Sequence, residues 1–172
     1  ALVGAVLGAG SDTAVDLHSY LIKNLLQHPE EFESLKSDPG LVQGAISETL
    51  RYESSGKTGL ARYASEDLEI NGNHVKKGQM VQLITSTAGM DSSIYNDPRK
   101  FDIQRDHDKS ISFGQGPHYC IGVTLVRSQT EVMLKELFKR FPNLSLGDEI
   151  VYDYNHHNAR RMDVMVVNTN LD

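Results

Sequence analysis

The chain has 172 residues, enough for one domain with a real core, and its 17 Lys and Arg stand against 23 Asp and Glu for a net charge of −6. That acidic balance speaks against nucleic acid as a partner. One cysteine cannot build a disulfide framework, no stretch approaches the ~18 apolar residues of a membrane span, and no signal-peptide pattern opens the chain, so a soluble cytoplasmic protein with no membrane partner is expected.

Residues 1 to 27 read as helix, with Val15, Leu17, Leu21, Ile22, Leu25 and Leu26 near a 3.6-residue period. The start at Ala1, without a cap or a polar lead-in, looks like the middle of a helix. Within this run lie Ala9, Gly10, Ser11, Asp12 and Thr13. By residue preference, Ser11 or Asp12 caps a helix beginning near Thr13. Alternatively the helix runs through and opens locally, with the Thr13 hydroxyl bonded to a carbonyl one turn back.

Pro29 ends this region, and a Glu-rich segment through Lys36 forms a second short helix. Asp38 and Pro39 open a third, as N-cap and first-turn proline. Glu48 and Arg51 share one face of it at i and i+3. On spacing alone that is an exposed pair worth about 0.2–0.5 kcal/mol.

After Arg51 the pattern turns to short strands at Leu60–Ala64, Leu68–Ile70 and Met80–Thr87, with turns at Asn71-Gly72 and Gly78. Arg62 stands among strand residues, where a solvated cross-strand charge is one reading. From Ala88 to Ser112 the sequence is polar and aperiodic; a run of that length in a compact domain tends to be functional.

Phe113 to Gly122 holds the only cysteine, Cys120, with Gly114, Gly116 and Gly122, and leads into a helical period over Ile121–Arg140. A cysteine at a helix N-terminus meets orphan amides and the macrodipole, which favour a thiolate. Such a thiolate is a soft ligand for iron, and glycines beside it let something flat approach the backbone. A lone cysteine can equally be a small buried hydrophobe. A thiol hydrolase pairing Cys120 with His118 is disfavoured, because no orienting Asn or Asp is evident. The following helix is expected to bury Leu125, Met133, Leu134, Leu137 and Phe138, and Pro142 stops it. The tail, Glu149 to Val167, suggests a hairpin turning at Asn155 to Ala159, with His156 and His157 as solvated loop residues.

Taken together, Phe113, Gly114, Gly116, His118, Cys120 and Gly122 resemble the haem-binding loop of the cytochrome P-450 monooxygenases. The resemblance implies a mainly α fold with small β-sheets, in which this chain, 1–172, is the C-terminal part of one domain from the long central helix onward. It covers somewhat less than half of that fold, the N-terminal part of the same protein being the implied partner. Cys120 is implied as axial ligand of haem b. His118 and Arg62 are implied to grip its propionates, and Ala9, Gly10, Leu60, Ser112, Phe113, Gly114, Ile121 and Gly122 to surround it. Thr58 to Leu60 would border haem and substrate.

Ala9 to Thr13 resembles the oxygen-binding groove of that central helix, so the helix is implied to run through, with Asp12 and Thr13 delivering protons to dioxygen. Glu48 and Arg51 match the family's buried Glu-x-x-Arg pair, and Arg105 the arginine that completes it. The implied activity is insertion of one oxygen atom into a small organic substrate, with electrons from a ferredoxin-type partner and its NAD(P)H-dependent reductase. The rival expectation is a truncated or cleaved remnant acting as a structural or interaction module. Two departures stand out. The segment after Arg51 lacks the family's usual proline, and His118 replaces the arginine usual in membrane-bound members, which points to the soluble bacterial branch.

Overall fold

Helix α1 runs unbroken from Leu2 to Gln27 in the computed structural model, which describes residues 2–56, 59–155 and 159–170. No helix cap interrupts it at Ser11 or Asp12. The Thr13 hydroxyl instead donates to the Ala9 carbonyl one turn back, at 2.7 Å. Helix dimensions place the groove segment and the packing segment on one continuous rod. Its second half is core, with Leu17, Tyr20, Leu21 and Leu25 all buried. Its first half is open: Leu2, Val3, Val6 and Leu7 are exposed, and so is Val15, which periodicity had placed inside.

Pro29 opens helix α2, Pro29–Ser37, at a position where its missing N–H is no loss. Asp38 accepts from the Gly40 amide at 2.8 Å and caps a 3-10 turn at Pro39–Leu41, which leads into helix α3, Val42–Tyr52. Leu17, Leu21 and Leu25 of α1 form one core with Phe32 and Leu35 of α2, Ala45 and Ile46 of α3, and Phe101, Ile103 and Leu134. Helix α5, Val123–Arg140, closes this core with Leu134 and, less completely, Val126, Met133 and Phe138. Leu125 is 62% exposed, contrary to expectation. It lies two residues beyond buried Val123, on the opposite face, in line with exposed Val132 one heptad later.

Three two-stranded antiparallel sheets complete the fold. Strand β1, Leu60–Tyr63, pairs with β4, Met80–Leu83, and β2, Leu68–Ile70, pairs with β3, Asn73–Val75, across the Asn71-Gly72 turn. The strand expected to reach Thr87 stops at Leu83, and Thr85–Ala88 forms a short helix, α4, in which the Thr87 hydroxyl bonds the Ile84 carbonyl. The tail hairpin starts earlier than Glu149: β5 is Ser145–Asp153 and β6 Arg161–Asn168, with register shifts between them. The expected turn falls partly on residues 156–158; His156 and His157, like Thr58, lie outside the described residues.

This hairpin is tied back to the helices. Arg160 reaches Glu53 and the Tyr20 hydroxyl, and Glu53 also pairs with buried Lys23. Tyr20 in turn donates to the Arg160 carbonyl at 2.8 Å. No helix among the described residues is long and apolar enough to cross a membrane.

Candidate functional site

Glu48 is wholly buried, and a buried carboxylate is tolerated only when its lone pairs are satisfied. Arg51 supplies a fork: Nε donates to Glu48 Oε2 and Nη2 to Oε1, each at 2.7 Å. The Asp102 amide at 2.9 Å and Arg105 Nε at 3.3 Å complete the shell of Oε1. The two guanidiniums then bond outward to backbone. Arg51 donates to the carbonyls of Gly89, Pro98 and Lys100, and Arg105 to those of Asn96, Asp97 and Lys100. Two arginines thus satisfy five carbonyls of the aperiodic segment 89–112, and local turns bond others, in place of a sheet partner. Glu48, Arg51 and Arg105 are thus brought together, and the exposed-pair reading is overturned. His107 joins them unannounced by any motif, with Nε2 3.7 Å from Glu48 Oε2.

The pinned segment delivers the cysteine loop. Phe113 is half-buried against the core, and its carbonyl accepts from the Cys120 amide at 2.9 Å, closing the loop. Gly114 and Gly116 take φ of +77° and +69°, a left-handed backbone that a side chain would strain. His118 ends a 3-10 turn at Gly116–His118, and α5 begins at Val123, three residues past Cys120. The Cys120 thiol is exposed rather than core, which removes the buried-hydrophobe reading. Ile121 beside it is 101% exposed. Ser112 and His118 are exposed too, and Gly122 stands so that an added Cβ would lie 3.8 Å from Cys120 Sγ.

On α1 the groove residues Ala9, Gly10, Asp12 and Thr13 are exposed as well, and a Cβ at Gly10 would meet nothing within 4 Å. Leu60 and Arg62 sit on β1, paired with Leu83 and Val81. Among the described residues Arg62 pairs with no carboxylate; its Nη1 donates to the Ala61 carbonyl at 2.9 Å. Helices α1 and α5 are joined by a hydrogen bond between His18 Nε2 and Thr130 Oγ1 at 2.9 Å, beside the core they share. From there α1 runs back to Thr13 and α5 back to Val123, and both arms carry open apolar side chains.

Two charges near the groove carry no sequence signal. Arg161 of β6 lies 3.3 Å from Asp12 and 3.6 Å from Asp16. Burial pushes the Asp16 carboxyl above its ordinary range, against the pull of Arg161 and a Ser55 hydrogen bond.

The sequence model of the cytochrome P450 family matches residues 1–149. The chain belongs to the cytochrome P450 family. It is 40% identical over 154 residues to the epothilone C/D epoxidase of Sorangium cellulosum, an alignment covering 90% of the chain and 37% of that enzyme. It is 41% identical over 140 residues to the biotin biosynthesis cytochrome P450 of Bacillus subtilis, covering 81% of the chain and 35% of the relative. The crystal structure of epothilone D-bound cytochrome P450epoK superposes with a TM-score of 0.91 at 39% identity, covering 96% of this chain and 41% of that one. The chain thus spans well under half the length of these P450 relatives, and its fold is the matching part of theirs: mainly helical with small sheets.

The cofactor of the P450 family is haem, an iron protoporphyrin IX. The residues present fit it. An exposed thiol supplies a soft donor, left-handed glycines stand before it without side chains, and the apolar groups Ile121, Leu125, Val6 and Leu7 are exposed.

Proposed function

We propose that the protein of which residues 1–172 are the C-terminal part of a single domain is a haem-thiolate monooxygenase. It inserts one atom of dioxygen into a small organic substrate, using electrons from a ferredoxin-type partner with an NAD(P)H-dependent reductase, in the cytoplasm. The observation that carries this reading is the single exposed thiol of Cys120 on a glycine-shaped loop held by a buried Glu48–Arg51–Arg105 network.

Cys120 would hold the haem through its thiolate, and the haem, when bound, would supply the oxygen chemistry that no side chain can. His118 and Arg62 offer positive or donor groups for the propionates. Gly10, Leu60, Ser112, Phe113, Gly114 and Ile121 would line the face of the haem. The Thr13 hydroxyl donates its hydrogen bond to the Ala9 carbonyl, so its oxygen is free to accept one from water and hold it at the groove. Asp12 is the carboxylate that takes up and releases a proton there, as general acid–base chemistry requires. Support for a haem monooxygenase comes from the family; support for a bacterial type comes from the organisms of its relatives.

The test is the absorption spectrum of the full-length reduced protein under carbon monoxide. The thiolate-type Soret band is expected in the parent and lost in Cys120→Ser, with a histidine- or oxygen-ligated spectrum in its place. An unchanged band in Cys120→Ser would overturn the assignment.

A further inference from the structure

Asp12 and Asp16 stand one turn apart on α1, a spacing at which two carboxylates repel. A single cation lies against both. Arg161 Nη2 is 3.3 Å from Asp12 Oδ1, and Nε is 3.6 Å from Asp16 Oδ1. The two acids differ in setting: the Asp16 side chain is 8% exposed and that of Asp12 59%. The backbone that carries Arg161 is held, because its neighbour Arg160 is fastened to Glu53 and Tyr20, and the Arg160 amide donates to the Ser55 carbonyl at 2.7 Å. Ser55 also hydrogen-bonds Asp16. The residues of the P450 family model end at 149, so this arginine belongs to the tail that the model does not reach.

We propose that Arg161 is a positioning residue for Asp12, one guanidinium shared between the groove acid and a buried second acid, Asp16, so that the C-terminal hairpin sets how Asp12 is held. This rests on the reading of Asp12 as the acid of the groove. One guanidinium neutralises one carboxylate. While Asp16 is ionised it competes for Arg161, and Asp12 is freer to turn. When Asp16 takes a proton, Arg161 belongs to Asp12 and holds it. The charged and hydrogen-bonding groups facing this cluster are Asp12 and Asp16 from α1, Arg161 from β6 and Ser55 from the segment after α3. Burial favours the neutral form of Asp16, the form that leaves Arg161 to Asp12.

The test uses the full-length, haem-loaded protein with its redox partner. Product formed per nicotinamide oxidised is expected to fall about tenfold in Arg161→Ala, less than loss of an acid itself costs, and to recover in Arg161→Lys. Arg161→Ala combined with Asp12→Asn is expected to be no worse than Asp12→Asn alone. A second readout does not depend on turnover. The infrared carboxyl band of protonated Asp16, assigned by its loss in Asp16→Asn, is expected to persist to higher pH in Arg161→Ala and to return in Arg161→Lys, because the lysine restores a cation. Either an Asp16 band that titrates alike with and without Arg161, or full coupling in Arg161→Ala beside uncoupled Asp12→Asn, would overturn the role of Arg161 while leaving the groove intact. Full coupling in Asp12→Asn would overturn the groove reading itself, and this inference with it.

Discussion

At the scale of single residues, Glu48 is where burial and charge are most tightly bound together. It is 0% exposed and meets two arginines, a backbone amide and the edge of His107. Removing it strands the buried guanidinium of Arg51 and the part-buried one of Arg105, whose other hydrogen bonds go to carbonyls of segment 89–112. Breaking one partner of a buried pair costs about 3–5 kcal/mol, several times the worth of an exposed pair. Glu48→Ala is therefore expected to yield little soluble, haem-loaded protein, whereas Glu33→Ala, which breaks the exposed pair with Lys36, leaves yield unchanged. Haem content per polypeptide after identical expression measures both. Equal loading in the two variants would return Glu48 to the status of a surface charge.

At the scale of elements, close backbone contact decides how the pieces fit. A Cβ at Gly44 of α3 would lie 2.0 Å from the Ile103 carbonyl oxygen, far inside contact distance. Alanine improves helix propensity by about 1 kcal/mol, but separating α3 from the segment carrying Phe101 and Ile103 costs about 1–3 kcal/mol and loosens the Glu48 network. Gly44→Ala is expected to lower the melting temperature, and Gln43→Ala, exposed on the same helix, to leave it within a degree or two. A higher melting temperature for Gly44→Ala would show that propensity outweighs the contact.

The same elements show what a sequence can say. Helices α2 and α3 were legible from Pro29 and the Asp38 cap, because those signals are local. Period marked residues 1 to 27 as helical, but residue preference put a cap at Ser11 or Asp12, and only the family resemblance carried α1 through it. The cysteine loop and the Glu48–Arg51 pair were legible through family motif, since spacing alone read the pair as exposed. Leu125 and Val15 were misplaced because apolar character says that a face is covered, not by what. Strand β4 was drawn too long because Thr85 and Thr87 suit strands by side-chain shape yet close a helical turn through the Thr87 hydroxyl. Arg161 and His107 carried no signal at all, since their partners on α1 and α3 lie far away in sequence.

At the scale of the whole molecule, two half-buried histidines sit on the long-range joints that hold the site in shape. His18 links α1 to α5 through Thr130, and His107 lies between α3 and segment 89–112. Burial pushes both below the ordinary imidazole value, for His107 against the opposing pull of Glu48. A histidine with a lowered folded pKa binds fewer protons folded than unfolded once pH drops below about 6.5. Stability is then flat at higher pH and falls as pH descends from about 6.5 toward the folded values. Asp16 works in the opposite direction. Its raised value makes the folded state the better proton binder, so it removes stability as pH rises from about 3.8 through its folded value. The two histidines therefore govern the upper window. Urea midpoints of the full-length protein are expected to hold steady from about pH 8 to 7 and to decline as pH falls below about 6.5. His18→Gln and His107→Gln should each flatten that decline, and together remove most of it, because glutamine keeps a polar group at each joint without titrating. A decline of equal slope in the double variant would place the acid sensitivity elsewhere in the protein and leave these two joints silent to pH.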